Sequence, residues 1–453
     1  MAEKIKLKYG RTLLIGFGFM ASMIAWTIYN AYVPLILKDN DTIRNLSYSG
    51  TVIGLIMVID NVFGVIFQPL FGKLSDRTHT RFGKRTPYLI MGIPLCAILF
   101  ALIPQMAAIW SLMMCIIVFN FIMSTWRAPV VALMPDMTPS AVRGEGNAVI
   151  NLMGGLGTVL GTVSGKIFAV LLHLDSAEGG AVRPYVFTFG SVIMVICLLI
   201  VVFLVREPDS RLSAGDSKQL AADFNAKEAR KAEKQRFKAM QLSKGERNSL
   251  LFMLVALFFI TNATDSIQTY FTTFATGSLG MKEENAALFI TLFAAATMLA
   301  AIPAGKVGHK FGRKKAIMCG LIGILTLFII YFFSRNDAAF SKDMLYIAII
   351  FGGASIAFVT INTLPLVLEI GGTEKIGTYT GYYYTATFSA SIVGPILCGR
   401  LFDLTKDGIH YWSLFIYCPI CFALALLFIT QVRHGEIKTI PEDILKEALM
   451  ADD

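Results

Sequence analysis

Twelve mostly apolar stretches of about 18–31 residues set the first limit on this chain, because each is long enough to cross a bilayer as an α-helix. They lie near residues 11–37, 49–72, 87–104, 109–134, 142–172 and 184–205, then 248–277, 285–305, 313–333, 343–368, 376–404 and 409–432. Only 16% of the residues are charged and 55% are hydrophobic, with a mean hydropathy of +0.63. A soluble domain carries about a quarter charged residues. The seven cysteines all sit inside apolar runs, away from loops that a disulfide framework would staple, and read as small buried side chains. Cys418 and Cys421 have metal or redox spacing, but their setting, YCPICFALALLF, points to packing.

A net charge of +9 raises nucleic acid as a partner, and the distribution of the charge argues against it. Lys4, Lys6, Lys8 and Arg11 precede the first span, GKLSDRTHTRFGKR (72–85) joins the second and third, and Lys306, Lys310, Arg313, Lys314 and Lys315 join the eighth and ninth. Loops on the other side are nearly neutral or acidic, as in KDND at 38–41 and KEEN at 282–285. Basic residues confined to alternate loops orient a membrane protein and place both termini in the cytoplasm. The amino end, MAEKIKLKYGR, leads into an apolar run too long for a cleavable signal peptide. Asn45-Leu46-Ser47 on the outer side is a glycosylation sequon, meaningful only in a eukaryotic host.

The two sets of six echo each other. Gly72-Lys73 is matched by Gly305-Lys306, Pro129 with Asp136 by Pro365 with Glu369, and Gly165-Lys166 by Gly399-Arg400, at offsets of 233, 236 and 234 residues. Such a parallel repeat is a transporter architecture, with substrate bound between the halves near the midplane. The expected fold is all-α and integral to the membrane, with twelve transmembrane helices in two pseudo-symmetric six-helix bundles. Residues 1–205 form the first bundle, 206–247 a cytoplasmic linker, 248–432 the second bundle and 433–453 a cytoplasmic tail. Leu220, Phe224, Phe237 and Met240 suit either a linker helix lying along the membrane face or a flexible charged tether.

The loop GKLSDRTHTRFGKR is similar to the loop signature of the major facilitator superfamily. Within it, SDRTHTRFGKRTPY resembles the glycoside–pentoside–hexuronide symporters, above all the branch of plant sucrose symporters and related animal sugar carriers. Phe67-Gln68-Pro69, the first-helix run GFGFMASMIAWTIYNAYVP and the fourth-helix run RAPVVALMPDMTP extend the likeness over the chain. The resemblance implies import of a sucrose- or maltose-like glycoside by alternating access. It also implies gating by Gly72, Asp76, Arg77, Gly83 and Arg85. Gly72 would permit close helix packing, and Asp76 and Arg77 would form a charge latch against neighbouring helix ends, favouring the state closed to the cytoplasm. In the second copy Gly308-His309 replaces Ser75-Asp76, so the latch is expected on one side only. Two departures matter. Gly64 to Pro69 lacks both carboxylates of the sodium-using Asp-x-x-x-Asp-Pro pattern, and Asn120 falls near the fourth-helix Asp of plant sucrose symporters. The coupling ion must therefore be argued from this chain's own acids.

An ionisable group inside a span is costly and defaults to a functional role. Asp60 lies about 16 Å from either end of the second helix at the helical rise, where it can carry a proton or contact substrate. Its alternative is a structural acid paired with Arg127 or capped by Asn61. Arg127 shares a helix face with Asn120 and Ser124, and either bonds sugar hydroxyls or pairs with a protonatable acid; snorkelling is its bland reading. Asn262, Asp265 and Gln268 recur every three residues as a polar stripe, with Asp265 the second candidate for proton coupling. Sugar recognition needs flat apolar faces and a few directional polar groups. Trp26 and Asn30 of the first helix, with Pro34 able to bend it, and Tyr383 among Tyr379, Tyr382 and Tyr384 meet that need. Gln68, Asn61, Asn151 and Asn362 complete the expected lining.

The expectation is a monomeric proton-coupled sugar importer of the plasma membrane, with sugar, proton and lipid as its partners and no cofactor. No G-x-x-x-x-G-K-[ST] phosphate loop is present to couple ATP. The five histidines lie near helix ends, without the mid-membrane cluster an enzyme would need. A drug or metabolite exporter of the same fold and a non-transporting sugar sensor are the alternatives.

Overall fold

The computed structural model describes residues 8–138, 143–173, 180–205, 207, 243–333, 338–371, 376–407 and 410–435. The linker helix expected around Leu220–Met240 and most of the tail lie outside them. Twelve helices are long and apolar enough to span a membrane: α1 (Tyr9–Asp39), α2 (Ser49–Asp76), α3 (Thr86–Leu102), α4 (Ile109–Met137), α5 (Arg143–Leu171), α6 (Arg183–Leu204), α7 (Lys244–Ser278), α8 (Glu283–Phe311), α9 (Arg313–Phe333), α10 (Ala338–Gly371), α11 (Ile376–Leu404) and α12 (Leu414–Gln431). The described residues contain no β-strand, as expected where only helices can satisfy the backbone internally. The protein is a multi-pass membrane protein with twelve spans. An even number of crossings brings the ends of α1 and α12 to one face, here called the terminal face. All seven cysteines are free, and all but Cys319 are buried.

Packing repeats with a period of six helices. α1 packs on α5 and α6, α2 on α4, and α3 on α4 and α6; α7 packs on α11 and α12, α8 on α10, and α9 on α10 and α12. Between the halves, α2 meets α11, α5 meets α8, and α1 meets α7. Glycine makes the α2–α11 contact possible. A Cβ on Gly54 would stand 2.6 Å from the Pro395 carbonyl oxygen, and one on Gly50 would stand 2.7 Å from that of Gly399. Tyr270 seals the same spot, its hydroxyl donating to the carbonyls of Gly50 at 2.8 Å and Pro395 at 3.0 Å.

The polar contacts described between the halves gather at the face remote from the termini. Asp403, at the end of α11, accepts from the Gly50 N–H at 2.8 Å, the Thr51 N–H at 2.9 Å and the Thr51 hydroxyl at 2.5 Å. It thereby supplies α2 with an N-cap from the other half, where Tyr48 offers none of its own. Arg183 at the start of α6 bonds Glu283 at the start of α8 at 2.9 Å, and also Asp39 at the end of α1. Thr162 and Thr291 bond across α5 and α8. Toward the terminal face α2 and α11 diverge.

Candidate functional site

Where α2 and α11 separate, a cavity of about 510 Å³ is lined by Gly64, Gln68, Pro69, Ala128, Thr385 and Ser389, with Val65, Tyr384, Phe388 and Ile392 as its apolar walls. Apolar walls with a few hydrogen-bonding groups are the usual make-up of a small-molecule site. Of the residues expected from sequence, Gln68 lines it. Thr385 and Ser389 were not expected; each donates its hydroxyl back to a carbonyl one turn earlier, at 2.9 Å and 2.7 Å. Nothing in their local sequence separates them from the other small hydroxyl residues of α11.

Two turns from Gln68 along α2, Asp60 is 6% exposed and accepts from the Asn61 N–H at 2.5 Å. It lies beside Val58, where the α2 path breaks between Ser49–Met57 and Ile59–Asp76. Arg127 of α4 and Asp265 of α7 both act on it electrostatically, so one acid from each half shares this depth. Arg127 forms no ion pair within 4.0 Å among the described residues. Its guanidinium lies instead over the Trp26 ring of α1, 4.3 Å from the centroid. A carboxylate about 4 Å away would attract it by about 4 kcal/mol at an effective dielectric near 20, against about 0.5–2 kcal/mol for an aromatic face. Asp265 faces the Ser391 hydroxyl of α11, one residue from Ile392 of the cavity wall.

Other expected residues stand elsewhere. Asn120 is 3% exposed, its amide donating to the Tyr29 hydroxyl at 3.1 Å and the Ile116 carbonyl at 3.0 Å, so it ties α4 to α1. The stripe Asn262, Asp265, Gln268 splits: Asn262 is 2% exposed and accepts from Tyr417 at 2.6 Å, while Gln268 is exposed. Each step of three residues falls about 60° short of a full turn, so the ends of the stripe point roughly 120° apart. Asn362 is fully buried against the Ala304 and Phe358 carbonyls at 3.2 Å and 2.9 Å. Tyr383 is half-buried near Thr363 at 3.5 Å, Asn30 is half-buried one turn beyond Trp26, and Asn151 is exposed on α5.

The loop from α2 to α3 is bound within its own half. Arg85, 4% exposed, reaches Ser75 and Asp76 at the end of α2 and bonds Asp136 of α4 at 2.8 Å. Burial works against its charge, but the hydrogen bonds and charges of Asp136 and Asp76 outweigh it and hold its pKa above the usual arginine value. The partner of Asp76 is Arg85 of its own loop. A Cβ added to Gly72 would meet only Ala128 Cβ, at 3.9 Å. Gly83 has φ 93, and a Cβ there would run into the Glu207 carboxylate. That carboxylate, just beyond α6, accepts from the N–H groups of Lys84, Arg85 and Thr86 at 2.9–3.0 Å and caps α3. Glu207 escaped sequence reasoning because the cap comes from more than a hundred residues away. The second copy repeats the scheme with Gly312 at φ 98 and an Arg313–Glu369 pair.

Two six-helix halves meeting around a cavity are the architecture of a membrane transporter. The chain matches the Major Facilitator Superfamily over residues 15–395 and 253–448, and it belongs to that family. It is a transporter and not an enzyme. Among curated relatives, the membrane-associated transporter protein of Mus musculus is 24% identical over 230 residues, 47% of this chain and 42% of that protein. Sucrose transport protein SUT5 of Oryza sativa subsp. japonica is 25% identical over 32% of each chain. The class E tetracycline resistance protein of Escherichia coli is 20% identical over 85% of this chain and 86% of that one. The chain thus spans less than half the length of the mouse and rice proteins. Among solved structures, a variant of the nucleoside transporter NupG superposes with TM-score 0.68 at 15% identity, covering 93% of this chain and all of its own. A D-xylose-proton symporter superposes at 0.65 and 14% identity, covering 94% and 97%. At these identities the superpositions speak for the fold.

Proposed function

We propose that this protein imports a small glycoside, of sucrose or maltose type, together with H⁺. The observation that carries the reading is the placing of Asp60 and Asp265, one from each half, next to an inter-half cavity that offers the Gln68 amide and the Thr385 and Ser389 hydroxyls. A carboxylate at mid-depth can exist with or without its proton as the surroundings change, which is what coupling to a proton gradient requires. Basic loops and termini in the cytoplasm would make the terminal face, where α2 and α11 part, the inner one. The site residues remain those named from sequence, with Thr385 and Ser389 added and with Asn120, Asn262 and Asn362 in supporting positions. The loop signature and the partial likeness to a sucrose transport protein favour the glycoside–pentoside–hexuronide branch.

The tetracycline resistance protein, aligned over most of both chains, favours a second reading as a drug exporter. Uptake into proteoliposomes across a panel of sugars, with imposed pH or Na⁺ gradients, separates the two. Accumulation of a glycoside driven by inward H⁺ is expected. Accumulation driven by Na⁺ alone would overturn the coupling, and proton-driven movement of tetracycline without any sugar would establish the exporter. Asp60→Asn should abolish gradient-driven accumulation; full retention would move the coupling role to Asp265.

A further inference from the structure

We propose that the cavity between α2 and α11 selects its ligand by the hydroxyl protons that the ligand donates, with Thr385 and Ser389 as the specificity-determining acceptors. The class admitted is an uncharged polyhydroxylated glycoside, to the exclusion of uronates and sugar phosphates. The inference rests on reading this cavity as the substrate site of the transporter proposed above. Among the described residues that line it, none carries a carboxylate, an ammonium or a guanidinium. Its polar groups are also lopsided. The Thr385 hydroxyl gives its only proton to the Gly381 carbonyl at 2.9 Å, and Ser389 gives its own to the Thr385 carbonyl at 2.7 Å. A hydroxyl has one donor and two acceptor sites, so each oxygen keeps only lone pairs for a ligand. Turning either proton outward would break a bond inside α11, at about 0.5–1.5 kcal/mol. Across the cavity Pro69 has no N–H, so the Val65 carbonyl one turn before it, also at the wall, lacks its helical partner. The donors are the Tyr384 phenol and the Gln68 amide, whose nitrogen lies where a Cβ on Gly64 would come within 3.1 Å.

A sugar hydroxyl brings a proton to each of these oxygens and can accept from Gln68 in return. A carboxylate brings only lone pairs, and a phosphate little else. Set against the oxygens of Thr385, Ser389 and Val65, an anion loses its water without gaining matching donors, and an unpaired charge out of water is costly. An ammonium finds acceptors here but no carboxylate to balance it. The rings complete the fit. Tyr384 and Phe388 stand one turn apart with centroids 6.1 Å apart and planes inclined by 30°, each next in sequence to one of the two hydroxyls. Ring and hydroxyl thus repeat along α11 at 384–385 and 388–389, close to the helical turn of about 3.6 residues. The C–H face of a sugar meets the apolar strip while its hydroxyl edge meets Thr385 and Ser389.

Equilibrium binding to the full chain, in micelles of a detergent without a sugar headgroup, tests this. The probes are sucrose and maltose, then the deoxyfluoro, 6-carboxylate and aminodeoxy derivatives of whichever binds more tightly. Fluorine keeps an acceptor and removes the proton, so at least one replacement should weaken binding about two- to tenfold, the range of one lost hydrogen bond. The carboxylate should bind more weakly by about tenfold or more. Ser389→Ala and Thr385→Val should each weaken the parent sugar about two- to tenfold and erase the effect of one fluorine position. Ser389→Thr, which keeps the oxygen, should do neither. The fluorinated probes act on the natural protein, so the test survives a variant that fails to fold. Equal or tighter binding of the carboxylate or the amine, fluorine effects that persist in both variants, or failure of both sugars to bind overturns the proposal. Proton-driven accumulation in liposomes scores the import reading separately. Binding in the expected pattern without accumulation leaves the proposal and removes the coupling. Accumulation of a sugar whose carboxylate binds equally well leaves the coupling and removes the proposal.

Discussion

The two faces of the molecule use the same chemistry for opposite ends. At the remote face charged contacts cross between halves, Arg183 to Glu283 and Asp403 to the start of α2, beside the pair of Arg183 with Asp39 inside the first half. At the terminal face they stay inside a half: Arg85 to Asp136 and Asp76, Glu207 to the start of α3, Arg313 to Glu369. Contacts of the first kind must break for the remote face to open. Contacts of the second kind can persist through the cycle, because they make each half a body that moves as one. A capping or ion-pairing acid in this protein is therefore a gate or a brace according to the half its partner belongs to.

Three substitutions would break or sharpen that distinction. The largest effect is expected for Asp136→Asn, which leaves Arg85, with a side chain 5% exposed, facing mainly the half-exposed Asp76. Removing one partner of a buried pair costs about 3–5 kcal/mol, so the thermal unfolding midpoint in detergent should fall clearly, and an unchanged midpoint would deny the bracing role. Asp403→Ala comes next. It removes a helix cap worth about 0.5–2 kcal/mol that exists only while the remote face is shut. The fold should survive, and distances between spin labels across that face should show the open population rising several-fold. If the unfolding midpoint falls while the distances stay put, Asp403 is a brace. Asp76→Asn should do least, since its side chain is 58% exposed and exposed pairs contribute about 0–1 kcal/mol. A shift in the same label distances larger than that from Asp403→Ala would restore the terminal loop as the principal latch.

Much of the architecture was legible because the bilayer is a harsh solvent. Twelve apolar runs and basic alternate loops follow directly from the cost of exposing polar groups to hydrocarbon, and the repeat of Gly72 and Pro129 in Gly305 and Pro365 follows from the doubled half. The same reasoning singled out Asp60, Asp265 and Arg127, since few ionisable groups lie that deep, and the structure brings Arg127 and Asp265 within electrostatic reach of Asp60. Neutral polar residues were less legible. Asn120 and Asn262 look like cavity lining in a helical pattern, yet each is occupied by a tyrosine hydroxyl from another helix. An amide is cheap enough to bury as glue, so its presence in a span does not say which way it points.

By itself the sequence determined how many times the chain crosses the membrane, that it is doubled, and which charges lie deep within a span. These are properties of local composition weighed against hydrocarbon. Only the tertiary structure decided which partner each polar group meets: that Arg127 stacks on Trp26, that Asp403 caps α2 and Glu207 caps α3, and that the cavity opens where α2 leaves α11. Each of those contacts joins residues about a hundred or more positions apart, and the helix pattern leaves their pairing open. The packing of whole helices resolves it.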